Sequence, residues 1–152
     1  MPTIHASVVL VGARAMLIRG TSGSGKSHLV WAMIEAAACG RLPFANLVAD
    51  DRVHIFAAGG RLLAKPPENL AGLLEVHGLG IRRLPHEPLA VVGWVVDLGA
   101  DAERMPAAAG CQTELLGVTL PRFAFPPCAD PLPVLLAALR TSAAQGEPGT
   151  RW

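Results

Sequence analysis

The run Gly20-Thr21-Ser22-Gly23-Ser24-Gly25-Lys26-Ser27 satisfies G-x-x-x-x-G-K-[ST], the pattern of a phosphate-cradling P-loop, and it decides the reading of the fold. Gly20, Gly23 and Gly25 permit backbone angles that a side chain forbids, so successive N–H groups can turn inward around an anion. In such a loop the lysine, here Lys26, reaches the outer phosphates of a nucleotide, and the hydroxyl of Ser27 suits Mg²⁺. The flanks have the required order. Ala15-Met16-Leu17-Ile18 is a short apolar run that reads as a strand, and Leu29 to Ala38 reads as a helix whose positive N-terminal end favours phosphate. Of the 13 lysines and arginines only Lys26 and Lys65 are lysine, so finding one inside the loop is not a matter of composition.

Upstream of the loop, Ile4 to Val11 alternates and then runs apolar, and Gly12-Ala13-Arg14 turns it back into the strand that enters the loop. That predicts an antiparallel hairpin and therefore a mixed sheet, where a doubly wound nucleotidase would open on a parallel strand. Downstream, Gly40 and Pro43 stop the helix, and Asn46-Leu47-Val48-Ala49 reads as a strand ending at Asp50-Asp51. Val53 to Ala57 continues extended and turns at Gly59-Gly60 into a strand over Arg61 to Ala64. Pro66-Pro67 ends it, before an expected helical turn around Asn69 to Leu74 and a loop at Gly78-Leu79-Gly80. Leu89 to Leu98, nearly all apolar, is the expected central strand. Ala100 to Gly110 reads as a mobile loop, Val118–Leu120 and Phe123–Phe125 as short strands on either side of Pro121, and Pro131 to Ala144 as a C-terminal helix. The expectation is one P-loop domain over residues 1–144 and a frayed tail over 145–152.

Composition narrows the classes. With 51% hydrophobic and 16% charged residues in 152, the chain has enough apolar content to build a core and is unlike disordered segments. Its apolar runs fall far short of the ~20 residues that span a bilayer, and no secretory leader pattern opens it, so a cytoplasmic location is expected. Cys39, Cys111 and Cys128 are odd in number and widely spaced, which points to ordinary thiols instead of a disulfide framework or a zinc site. A net charge of +1, no tyrosine and scattered arginines give no basic patch or stacking platform for nucleic acid.

A P-loop enzyme that moves a phosphoryl group needs acidic groups near the γ-phosphate, one to orient metal and one to handle the nucleophile's proton. Asp50-Asp51 is the candidate pair. A crossover after the helix is expected to place their strand beside the P-loop strand with both carboxyl ends at one sheet edge. Because neighbouring strand residues face opposite sides, one of the two is expected to face the phosphates and the other to take a metal-side or structural role.

These residues carry a resemblance. Leu47-Val48-Ala49-Asp50-Asp51-Arg52-Val53, at this distance from the P-loop, resembles the catalytic domain of bacterial HPr kinase/phosphorylase. Pro66-Pro67 with Leu73-Leu74-Glu75-Val76-His77-Gly78-Leu79-Gly80-Ile81 is similar to that family's signature, and the likeness runs from His5 to about Phe125. The resemblance implies an α/β P-loop fold, a mixed β-sheet with flanking helices of the kind shared with phosphoenolpyruvate carboxykinase. It also implies an ATP- and Mg²⁺-dependent kinase for a serine of the phosphocarrier protein HPr, able to reverse the reaction by phosphorolysis, in a homo-oligomer that the family suggests is a hexamer.

Residue by residue, Asp50 resembles the family's acid–base carboxylate, and His5 sits where the family has a histidine close to that aspartate. Arg104 resembles an arginine that contacts the transferring phosphate, Glu75 resembles the signature glutamate near the metal, and Asp51 is left with Ser27 on the metal side. Two departures stand out: His28 replaces the acidic residue that follows the P-loop serine, and His77 replaces the signature arginine. Two other readings therefore stay open beside the kinase: a nucleotide- or phosphate-sensing module with little catalysis, and a small-molecule kinase.

Overall fold

In the computed structural model, which describes residues 2–100 and 111–141, the P-loop joins β2 (Arg14–Arg19) to α1 (Lys26–Ala38). β1 (Ile4–Val11) pairs antiparallel with β2 through the turn at Gly12 and Ala13, so the hairpin expected from the sequence is present. After α1 come β3 (Ala45–Ala49), the hairpin β4 (Arg52–Ala58) and β5 (Arg61–Lys65), a 3₁₀ turn at Glu68–Leu70, and a second hairpin, β6 (Leu73–Val76) with β7 (Gly80–Arg83). β8 (Ala90–Leu98), β9 (Gln112–Leu115), β10 (Val118–Phe125) and α2 (Leu132–Arg140) complete the described chain.

An 8-stranded mixed sheet runs β2–β1–β4–β5–β8–β10–β9, with β3 on β1 and an additional β2–β8 pairing. That extra pairing closes β1, β2, β8, β5 and β4 into a ring. Strand alternation then divides the apolar residues between two cores. Val8, Leu17, Val53, Leu62 and Val95 pack inside the ring. Val9, Met16, Ile18, Trp94 and Val96 pack outside it, under Leu29, Val30 and Met33 of α1 and Leu135 of α2. Burying one such side chain stabilises the fold by about 1.5–3 kcal/mol. Neither helix is long and apolar enough to cross a membrane among the described residues.

Several expectations are corrected. The strand bearing the acidic pair does not lie beside β2. β1 stands between β2 and β3, antiparallel to both, because the locally closed hairpin already occupies that flank of β2. β2 and β3 are therefore parallel one strand apart, and their carboxyl ends still meet at one edge. Leu73–Val76 is a strand, not part of a helical turn, and Gly80 belongs to the strand that pairs with it. β9 was not foreseen, and β10 continues through Pro121: residues up to and including the proline pair with β9 and residues after it with β8, so the proline is the last member of one ladder and sits where the strand changes partners. The expected mobile loop lies almost wholly, and the end of the C-terminal helix and the tail lie, outside the described residues.

Candidate functional site

Helix α1 begins at the P-loop because the chain there needs glycine. Gly25, its N-cap, has φ +101°, and Gly20 lies so close to the loop that a Cβ on it would stand 2.4 Å from Ser24 Oγ and 3.2 Å from Leu98 O. No side chain caps α1 and no acid occupies its first turn, leaving the amide end of the helix turned to the loop's concavity. Lys26 is buried and its Nζ donates to the carbonyls of Gly20 (3.0 Å) and Thr21 (3.1 Å), tying the loop together from inside.

The acidic pair sits where β3 gives way to β4. Asp50 is 7% exposed. Its Oδ1 accepts the hydroxyls of Ser7 and Ser27, both at 2.7 Å, and its Oδ2 accepts the amide of Glu75 at 3.1 Å. The next residue turns the other way. Asp51 has φ +69°, and the amide of Arg52 donates to the carbonyl of Asp50 at 2.8 Å, so Asp51 is the apex of a γ-turn of the rare positive-φ kind. Its carboxylate is 64% exposed and accepts Nε2–H of His5 at 2.8 Å.

Strand β1 explains why this turn is held. His5 and Ser7 are two apart and share a face, and Val9 and Val11 continue that face into the core under α1. Three consecutive residues grip Asp51: His5 its carboxylate, the Ala6 amide its carbonyl (3.2 Å), and Ser7 Oγ its amide (3.2 Å).

A pocket of about 520 Å³ opens over the loop, lined on the loop side by Ser22, Gly23, Gly25, Lys26 and Ser27. His28 and Trp31 of α1, Asp51, and Glu75, Val76 and His77 complete its wall. The structure thus brings most of the site residues expected from sequence around one cavity. Two relations differ from expectation. His5 contacts Asp51, not Asp50, because the γ-turn swings the Asp51 carboxylate back over β1. Ser27 contacts Asp50, not Asp51. Glu75 donates its backbone amide to Asp50 and is itself one of the residues lining the pocket. Arg104 lies outside the described residues. Among the described residues no three His, Cys, Asp or Glu side chains cluster as a metal cage. A hydroxyl, a carboxylate and phosphate oxygens are the ordinary donor set for Mg²⁺, and Ser27 with Asp50 fits it.

Sequence reasoning missed Ser7, whose only signal is a polar residue two positions from His5 on an otherwise apolar strand. It also missed the support at the other flank of the loop. Asp97, at the end of β8, accepts Nε and Nη2 of Arg19 at 2.7 and 2.8 Å and Nε of Arg122 from β10. Burial alone would raise the pKa of Asp97, but the hydrogen bonds and charges of the two arginines outweigh it and hold the carboxyl below its ordinary range. Arg19 immediately precedes Gly20, so this cluster fixes the point from which the loop departs. An arginine abutting the loop and an aspartate next to last in the most apolar strand were the available signals.

Comparison with known proteins places the chain in a family. Residues 1–85, more than half of the chain, match the family described as HPr Serine kinase C-terminal domain. The HPr kinase/phosphorylase of Clostridium tetani is 38% identical over 82 residues, 54% of this chain and 25% of that protein. That of Streptococcus thermophilus is 36% identical over 80 residues, 52% of this chain and 24% of that protein. The matched segment thus spans about a quarter of the length of these curated relatives. The solved structure of the Hpr(Ser) kinase/phosphatase from Coxiella burnetii superposes with a TM-score of 0.70, covering 90% of this chain and 91% of that one at 24% identity, a likeness of fold.

Proposed function

The chain belongs to the HPr serine kinase C-terminal domain family, and from that premise we propose that it is an ATP-dependent kinase for a serine of an HPr-like phosphocarrier protein, also able to run the reaction backwards with phosphate. The observation that carries the reading is the division of the acidic pair: one carboxylate is buried behind the pocket and bound to the P-loop serine that lines it, while the other lines the pocket itself, exposed and bound to a histidine. Two carboxyl groups in contrasting environments at one site suit two roles.

The loop amides and Lys26 would hold the nucleotide phosphates, and Ser27 with Asp50 would hold Mg²⁺. ATP supplies the phosphoryl group when bound, and Mg²⁺ offsets the charge on its oxygens. Asp51 would accept the proton that the serine hydroxyl releases as its oxygen bonds to the γ-phosphorus and the bond from that phosphorus to the bridging oxygen breaks, with ADP leaving; in the other direction it would return a proton to the serine oxygen as inorganic phosphate takes the phosphoryl group and leaves as pyrophosphate. His5 donates to Oδ1 of Asp51 and so holds in one orientation a carboxylate that lines the pocket. This reverses the division of labour expected from the sequence, where Asp50 took the proton and Asp51 the metal side. Assembly as a homo-oligomer belongs to the same reading.

The test is to incubate the pure protein with ATP, Mg²⁺ and HPr and to look for phosphoserine by mass spectrometry. Phosphoserine on HPr supports the reading. Nucleotide binding without turnover would make the protein a sensor, and ATP consumption that needs a metabolite instead of HPr would make it a small-molecule kinase.

A further inference from the structure

Ser7 has no role in the phosphate cradle, yet among the described residues its buried hydroxyl is the one side-chain group that bonds to both members of the acidic pair. It donates to Asp50 Oδ1 at 2.7 Å and accepts the Asp51 amide at 3.2 Å. A serine hydroxyl has one proton to give and lone pairs to receive, so both bonds can exist together. We propose that Ser7 is a positioning residue for phosphoryl transfer: it couples the buried carboxylate that faces Ser27 to the turn that presents Asp51, and so fixes where the proton-accepting oxygen stands. The inference rests on the reading of Asp51 as proton acceptor.

Three features favour this over mere satisfaction of a buried carboxylate. Asp50 already has donors from Ser27 and Glu75, so Ser7 is not needed to prevent an orphaned charge. Asp51 is held in a positive-φ turn whose strain must be met by surrounding contacts, and the Ser7 oxygen is the acceptor for its amide. The third feature is the shared face of β1: His5 orients the Asp51 carboxylate and Ser7 its backbone from one rigid strand, which is how two bonds can define one direction. Removing the hydroxyl leaves the aspartate in place but less well aimed.

The experiment compares Ser7→Ala and Ser7→Thr with wild type in the full chain. Single-turnover transfer from ATP to HPr gives the rate, titration gives ATP affinity, and hydrogen exchange at the Asp51 amide reports the bond directly. Ser7→Ala is expected to slow transfer by ~10- to 100-fold, as loss of an outer-layer partner typically does, with ATP affinity unchanged. Exchange at Asp51 should speed up roughly tenfold, in keeping with one lost hydrogen bond. Ser7→Thr, which keeps the hydroxyl on a β-branched side chain suited to a strand, should retain most of the rate that Ser7→Ala loses. In an Asp51→Asn background, Ser7→Ala should cause little further loss. Wild-type transfer rates in Ser7→Ala, an equal fall in ATP affinity, or additive losses in the double variant would overturn the proposal while leaving the kinase reading intact. If the wild-type protein phosphorylates nothing, the kinase reading falls and this inference falls with it.

Discussion

Exchanging each acidic residue for its amide separates the two assignments of the pair, and the two substitutions have different structural consequences. Asp50 Oδ1 accepts two hydroxyls and Oδ2 accepts a backbone amide. In Asp50→Asn one of these oxygens becomes an NH₂ group. If it replaces Oδ2 it meets the Glu75 amide, a donor that cannot turn; if it replaces Oδ1, the Ser7 and Ser27 hydroxyls must turn to accept from it and lose the acceptor they now share. A buried mismatch of this kind costs about 1–3 kcal/mol. It also disturbs the Ser27 hydroxyl, so Asp50→Asn is expected to lose stability and Mg²⁺-dependent ATP affinity together. Asp51→Asn changes an exposed side chain, and asparagine tolerates positive φ as well as aspartate does. Stability and ATP affinity should therefore hold. What disappears is the proton acceptor, and loss of a general base slows transfer by ~10²–10⁴-fold, equivalent to about 2.7–5.4 kcal/mol on the barrier. Urea denaturation, ATP titration with and without Mg²⁺, and single-turnover phosphorylation of HPr measure the three quantities. Normal transfer by Asp51→Asn, alongside an Asp50→Asn protein that binds MgATP but cannot transfer, would refute the assignment and restore the one expected from sequence.

The other expectations concern the loop, its support and the turn. Lys26→Ala should lose most nucleotide binding: ATP at ~100 times Kd stabilises the wild-type protein by about 2.7 kcal/mol, a melting shift of about 5–11 °C for a chain of this size, and a variant that shows the same shift would remove the site from the loop. Asp97→Asn should destabilise by about 1.5–3 kcal/mol near neutral pH, where two charged donors lose their carboxylate. The folded-state pKa of Asp97 is depressed, so its contribution is complete above the ordinary value of 3.8 and is lost as pH falls through the folded-state value; wild type and Asp97→Asn should converge in stability only in that acid range. A difference that persists unchanged to the lowest pH would mean the arginines do not act on Asp97 as an ion. At position 51, glycine should be more stable than alanine by ~1 kcal/mol, the reverse of their usual order, because only glycine relieves the positive φ; the opposite order in thermal melts would show that the turn is unstrained.

What the sequence disclosed and what it hid differ in range. The P-loop was legible because its requirements are local: glycines where backbone must turn, a lysine and a serine at fixed steps, a strand before and a helix after. The hairpin before it was legible for the same reason. Leu73–Val76 was not, since leucine and glutamate favour helix and a two-stranded hairpin of four-residue strands leaves almost no periodicity to read. Pro121 reads as a break in the sequence because a change of strand partner leaves no local pattern. The acidic pair was found, but its division was argued from the alternation of side chains along a strand. β3 ends at Ala49, so alternation does not apply to Asp51; its direction comes from a γ-turn held by β1, a contact across more than forty residues that no spacing rule encodes.

That contact makes β1 the organising element of the site. Through its hairpin with β2 it fixes the strand from which the P-loop springs, and through His5, Ala6 and Ser7 it fixes the turn that carries Asp51. The separation between the phosphate cradle and the exposed carboxylate is therefore set by one rigid strand, not by two independent loops. A doubly wound sheet, with a parallel strand in this place, would bring its own carboxyl end to the same edge and could not run beneath the acidic turn in the direction that offers three successive residues to it. The antiparallel insertion between β2 and β3, the feature that departs furthest from a common P-loop sheet, is thus what holds one aspartate against the loop serine and turns its neighbour outward toward the pocket.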